Sequence, residues 1–138
     1  MNEQSDLLAE VRIASFEDIV NARQVARETM AKMGFGLLDQ TRIVTAVSEL
    51  ARNIMLHAKV GTMRIVESTQ HGTENKGITC VFDDKGPGIK DLDGALREGF
   101  TSAGSLGLGL TGAKRLSDDF EITSTAGKGT TISISKWL

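Results

Sequence analysis

Apolar residues recur at helical spacing through two long stretches, 16–33 and 38–58, and beyond Gly61 they alternate instead. A chain with both periods buries its apolar surface by laying helices against a sheet. In the first stretch the stripe is Ile19, Val20, Ala22, Ala26, Met30 and Met33, with Ser15 as a candidate N-cap and Gly34 as the stop. In the second it is Ile43, Val47, Leu50 and Ile54, supported by Ala46 and Ala51, with Asp39 as a candidate cap. Ala9–Ser15 reads as an opening strand. Gly61 breaks the pattern, and Thr62–Thr69 follows as a strand with Met63, Ile65 and Glu67 on one side. A polar turn leads to the strand Gly77–Asp83, which carries Ile78, Cys80 and Phe82 on one face. Leu106–Leu116 is a predicted helix. Phe120–Thr125 and Thr130–Trp137 are predicted strands around a tight turn at Ala126–Gly129. Strand pairs joined by short turns favour antiparallel pairing. The expected fold is α/β, a two-layer sandwich of a mixed, mainly antiparallel sheet covered on one face by helices.

The 138 residues are expected to form a single domain, 1–138, large enough to hold its core without disulfides. A net charge of −2 carries no electrostatic footprint for nucleic acid or for an anionic membrane. One cysteine, Cys80, rules out an internal disulfide and fits a reducing compartment. No apolar run reaches the roughly 20 residues of a membrane helix, and residues 1–10 are polar and acidic with no signal-peptide core. A cytoplasmic protein is expected.

Glycine is distributed unevenly. Of 15 glycines, eight (86, 88, 94, 99, 104, 107, 109 and 112) fall within 27 residues, interleaved with Leu, Ile and Phe rather than with linker residues. That suggests ordered backbone approaching something closely.

Four constellations carry chemistry. Glu49 and Asn53 stand four apart on the second helix and share a face. A solvated polar face is the plain reading; a carboxylate beside an amide oxygen also suits Mg²⁺. Asp84-Lys85-Gly86-Pro87-Gly88 follows an apolar strand and holds the only proline. It is a surface turn by residue type, yet an Asp at a strand end can accept a hydrogen bond from an exocyclic amine. Phe100-Thr101-Ser102-Ala103-Gly104-Ser105-Leu106-Gly107-Leu108-Gly109-Leu110 leads into a helix, an arrangement suited to phosphate. Its Gly-x-Gly-x-x-Gly string, Gly107, Gly109 and Gly112, lacks the preceding strand of a dinucleotide fold, and no P-loop occurs. Gly127-Lys128-Gly129-Thr130 serves as a hairpin turn, and Thr130 could hydrogen-bond a base or a water beside Asp84.

In this order the four pieces resemble the GHKL ATPase superfamily, which includes gyrase B and the histidine kinases. The resemblance spans nearly the whole chain. It implies the Bergerat fold, with ATP between the helix layer and a lid. It implies that Asn53 holds Mg²⁺, that Asp84 binds the adenine amine, and that Gly86 and Gly88 line the base. Thr130 would sit near the base. Gly104, Gly107 and Gly109 would wrap the phosphates, with Thr101, Ser102, Ser105, Leu106, Leu108 and Leu110 completing that segment. No dimerisation helix with a phosphoacceptor histidine is present: His57 and His71 lie at a helix end and in a polar turn.

Ser48–Ile54, Phe35-Gly36, Glu98-Gly99-Phe100, the Leu-rich lid and Lys136-Trp137-Leu138 look most like the stressosome switch kinases among the anti-sigma-factor serine/threonine kinases. That implies phosphorylation of Ser or Thr on STAS-domain proteins with Glu49 as catalytic residue, and activation of a PP2C-type phosphatase on release. Two other functions stand beside it: an anti-sigma factor that binds a sigma factor directly, and a non-catalytic module that holds ATP.

Overall fold

The computed structural model describes residues 7–89 and 110–138. Along the chain run β1 (Leu7–Ile13), α1 (Phe16–Met33), α2 (Leu37–His57), β2 (Gly61–Thr69) and β3 (Lys76–Asp84). These are followed by α3 (Leu110–Leu116), β4 (Asp119–Thr125) and β5 (Gly129–Trp137). The five strands form one sheet in the order β1-β2-β3-β5-β4, and all four pairings are antiparallel. The two-layer α/β sandwich expected from the pattern is present, its described sheet wholly antiparallel.

Helix α1 begins where Ser15 caps it. The Ser15 hydroxyl accepts from the Asp18 amide at 3.2 Å, and the Asp18 carboxylate reaches back to the Ala14 amide at 2.8 Å. Gly34 ends it in the left-handed conformation, φ 95°. The buried residues are Ile19, Ala22, Ala26 and Met30. Val20, expected in that stripe, is 64 % exposed because it lies about 100° round the helix from Ile19. In α2 the N-cap is Gly36, not Asp39. Asp39 is already inside the first turn. Its carboxylate accepts from Arg42 Nη1 at 3.1 Å and meets Lys136 Nζ at 3.5 Å. Strand boundaries fall one or two residues from those expected. Of the predicted helix Leu106–Leu116, residues 106–109 lie outside the described residues.

Cross-strand register positions the site. On the helix-facing side one rung runs Ala9, Ile65, Cys80, Ile134, Phe120, and the next Val11, Met63, Phe82, Ile132, Ile122. Both pack under the helices in the core. Cys80 is fully buried there, which pushes its thiol pKa up to about 12 and leaves it an inert packing residue. The opposite sheet face carries hydroxyl chains: Ser68 to Thr79 and Thr79 to Ser135, each 2.8 Å. The third helix-side rung breaks the apolar pattern. It reads Ile13, Gly61, Asp84, Thr130, Ser124.

Candidate functional site

Strand alternation puts Asp84, Thr130 and Ser124 on the same face as the core residues Phe82, Ile132 and Ile122, one rung further along. This polar end of the sheet lies beneath the C-terminal half of α2. A pocket opens there. Its floor is Asp84, Thr130 and Ile132, and α2 contributes Asn53 and His57. Pro87, Gly88, Ile89 and Leu110 close the remaining walls.

The Asp84 carboxylate is fixed by the backbone. Its Oδ1 accepts from the Gly86 amide at 2.9 Å, and the Thr130 amide also donates to it. Partial burial is the largest influence on its pKa and raises it. The two backbone donors oppose that shift, neighbouring Asp83 adds to it, and His57 opposes it. Thr130 is buried, and its hydroxyl lies 2.9 Å from Ser124 Oγ.

On α2, Glu49, Asn53 and His57 stand at four-residue intervals, so they form one row with steps of about 6 Å along the axis. His57 is at the Asp84 end. Its Nε2 is buried and has no hydrogen-bond partner among the described residues. A buried ring nitrogen without a partner costs about 1–3 kcal/mol until something binds it, so this atom fits a ligand in the pocket. Glu49 is half-buried but lies two turns from His57 and is not part of the pocket wall. Arg52 is exposed, off this row.

The glycines of the Asp84–Gly88 loop have reasons within the protein. Gly88 lines the pocket but has φ 75°, and a Cβ there would lie 2.3 Å from the Thr125 carbonyl oxygen. Gly86 is not in the pocket wall; its missing side chain faces Ala58, whose Cβ would be 2.7 Å away. Close packing onto α2 and onto the β4–β5 hairpin therefore accounts for both residues. The loop and the hairpin are joined directly, since the Gly127 amide donates to the Pro87 carbonyl at 2.7 Å.

The structure thus brings together Asn53, Asp84, Gly88, Leu110 and Thr130, at least one residue from each of the four sequence constellations. Thr101, Ser102, Gly104, Ser105, Leu106, Gly107, Leu108 and Gly109 lie outside the described residues. Sequence reasoning missed His57 as a pocket residue, although its spacing from Glu49 and Asn53 is a readable signal. It also missed Ser124, whose only signal is its cross-strand position opposite Thr130.

Among the described residues no three His, Cys, Asp or Glu side chains converge as a metal cage. Asn53 with Glu49 one turn away offers only one or two oxygen ligands. That set suits Mg²⁺, which draws most of its shell from phosphate oxygens and water. No described helix is long and apolar enough to cross a membrane.

Comparison with known proteins agrees with this geometry. The family model described as the histidine kinase-like ATPase domain matches residues 13–136. The serine/threonine-protein kinase RsbT of Bacillus subtilis (strain 168) is 47% identical over 138 residues, covering 100% of this chain and 99% of that protein. An anti-sigma F factor of Caldanaerobacter subterraneus subsp. tengcongensis is 32% identical over 120 residues, 85% of this chain and 83% of its own length. One from Thermoanaerobacter sp. (strain X514) is 31% identical over the same span. With nearly its full length matched and a polar pocket where the motifs converge, the chain belongs to the histidine kinase-like (GHKL) ATPase family, on the branch that holds RsbT and the anti-sigma F factors.

Proposed function

We propose that this protein is an ATP-dependent serine/threonine kinase of a partner-switching stress response. In this reading it phosphorylates Ser or Thr of a STAS-domain regulator and activates a PP2C-type phosphatase when released. One observation carries the reading: a pocket joining Asn53, His57, Asp84 and Thr130 in a chain matched end to end by a serine/threonine kinase. The STAS and phosphatase partners rest on the resemblance to stressosome switch kinases. A cytoplasmic location goes with such a role.

Within this scheme the chain's own residues do the following. Asp84, held by two backbone donors, accepts from the adenine amine. Thr130 and Gly88 border the base, and His57 Nε2 gains a partner when the pocket fills. Asn53 contributes an oxygen to Mg²⁺. Glu49 orients the acceptor hydroxyl and takes its proton. Residues 101–110 supply amide donors to the phosphates. Bound Mg²⁺ supplies charge neutralisation on the transferred phosphoryl group.

The test is incubation with γ-labelled ATP and candidate STAS proteins. Label should reach a Ser or Thr of the substrate, and Glu49→Gln should lower that transfer by at least about 100-fold, as expected for loss of a general base, while ATP still binds. Glu49→Gln transferring at the wild-type rate would sink the base assignment. Absence of transfer by the wild type would leave only ATP binding, the non-catalytic module. The anti-sigma F relatives favour a second reading, direct sigma-factor binding. Capture of purified sigma factor in place of the STAS protein would establish it.

A further inference from the structure

Among the described residues the Ser124 hydroxyl has three polar neighbours and one proton to share among them. Its Oγ lies 2.7 Å from the Ile89 amide nitrogen, 2.9 Å from Thr130 Oγ1 and 3.2 Å from the Gly129 carbonyl oxygen. The Ile89 amide can only donate, so Ser124 accepts from it. The Gly129 carbonyl can only accept, so the Ser124 proton goes there. The contact with Thr130 is then satisfied in one sense alone: the Thr130 hydroxyl donates to Ser124. Hydroxyl protons are assigned here from the network as a whole, and this is the arrangement that completes all three contacts.

With its proton turned toward Ser124, Thr130 Oγ1 has only lone pairs left for a ligand. Asp84, beside it on the same rung, is also an acceptor when ionised. The floor is therefore an edge of two acceptors, matched to a group with N–H donors and mismatched to a carbonyl.

We propose that Ser124 is a positioning residue that locks the Thr130 hydroxyl as an acceptor and so strengthens selection of an amino-bearing purine over its 6-oxo counterpart. The inference rests on the reading of this pocket as an adenine-nucleotide site. Ser124 is not part of the pocket wall and acts through Thr130. Through Ile89 the same hydroxyl ties the chain leaving Gly88 to β4.

Two roles are separable by what they do to selectivity. A strut that merely holds Ile89 in place weakens every nucleotide alike when removed. A lock on Thr130 changes the ratio, because a freed Thr130 proton can turn and donate to a carbonyl. Calorimetric Kd values for Mg·ATP and Mg·ITP, whose base carries a carbonyl in place of the amine, read this directly. Wild type, Ser124→Ala, Ser124→Thr, Thr130→Val and the double variant are compared as full chains.

Ser124→Ala should lower the ATP-over-ITP preference about fivefold, the scale of one neutral hydrogen bond. Ser124→Thr, which keeps the hydroxyl, should restore the preference to within about twofold of wild type. In the Thr130→Val background, Ser124→Ala should leave the ratio unchanged, because its intermediary is gone. If Ser124→Ala does not fold, Ser124→Cys is measured instead, since it keeps the volume and weakens the hydrogen bonds; the same fall in ratio is expected. Both affinities weakening together at constant ratio overturns the proposal, and so do independent effects of Ser124→Ala and Thr130→Val on the ratio. A wild-type protein that binds neither nucleotide, or both equally, overturns it together with the reading of the pocket.

Discussion

Asp84 pays for its position in the fold. Burial raises its carboxyl pKa above the ordinary carboxylate value despite two backbone donors, so the ionised form is better accommodated in the unfolded chain. For a raised carboxyl, the stabilising contribution is fully present below the unfolded value and is lost as pH rises through the folded value. At pH 7 the group is therefore kept for binding at the expense of stability. Asp84→Asn keeps a carbonyl oxygen to accept from Gly86 and removes the charge. Its melting temperature at pH 7 should be no lower than that of wild type, while calorimetry should show ATP affinity reduced at least tenfold, by about 1.4 kcal/mol or more. Unchanged ATP affinity would remove Asp84 from the pocket's function. A clearly lower melting temperature would mean that the backbone hydrogen bonds outweigh desolvation.

Helix ends are where local sequence and local structure agree best. The Ser15 hydroxyl accepts from the Asp18 amide in the first turn of α1, and the Asp18 carboxylate accepts from the Ala14 amide just before the cap. Ser15→Ala should cost about 1 kcal/mol in urea-induced unfolding and leave the nucleotide affinity as it is, because the cap lies outside the pocket wall. Ser15 and Gly34 were legible because capping is set by a few consecutive residues. Asp39 was not, because being a cap or a first-turn residue depends on where the helix starts. The helix starts at Leu37, which puts Asp39 inside the first turn and makes it a partner of Arg42 and Lys136.

At the scale of the whole molecule, the C-terminus closes the end of the sheet that the pocket does not occupy. Lys136 is on the helix-facing side of β5 and joins two elements: its Nζ is 3.5 Å from Asp39 on α2 and 3.0 Å from Asp118 before β4. Asp118 also accepts from the Trp137 amide at 2.9 Å, and Asp119 from Trp137 Nε1 at 2.7 Å. The Lys136-Trp137 pair that contributed to the resemblance is thus a structural tie. Lys136→Met keeps the apolar stem and removes the charge, leaving two carboxylates that have lost a common partner. It should lower the unfolding free energy by about 1–2 kcal/mol without changing the Kd for ATP. A shift in that Kd would mean that the tie communicates with the pocket across α2.

What the sequence determined by itself is local and periodic. Two helical stripes, five strand segments and the order of Glu49–Asn53, Asp84–Gly88 and Gly127–Thr130 follow from spacing and residue type, and they were enough to specify a helix layer on a mainly antiparallel sheet. Tertiary structure alone decided which side chains meet. Asp84, Thr130 and Ser124 share a rung only because β3, β5 and β4 pair in one register, and register is a relation between strands that no single strand contains. His57 joined the pocket because α2 lies across that rung. Gly86 and Gly88 first stood out as backbone meant for a ligand, and their neighbours turned out to be Ala58 and Thr125. What a missing side chain makes room for depends on atoms distant in sequence, and only packing brings those atoms together.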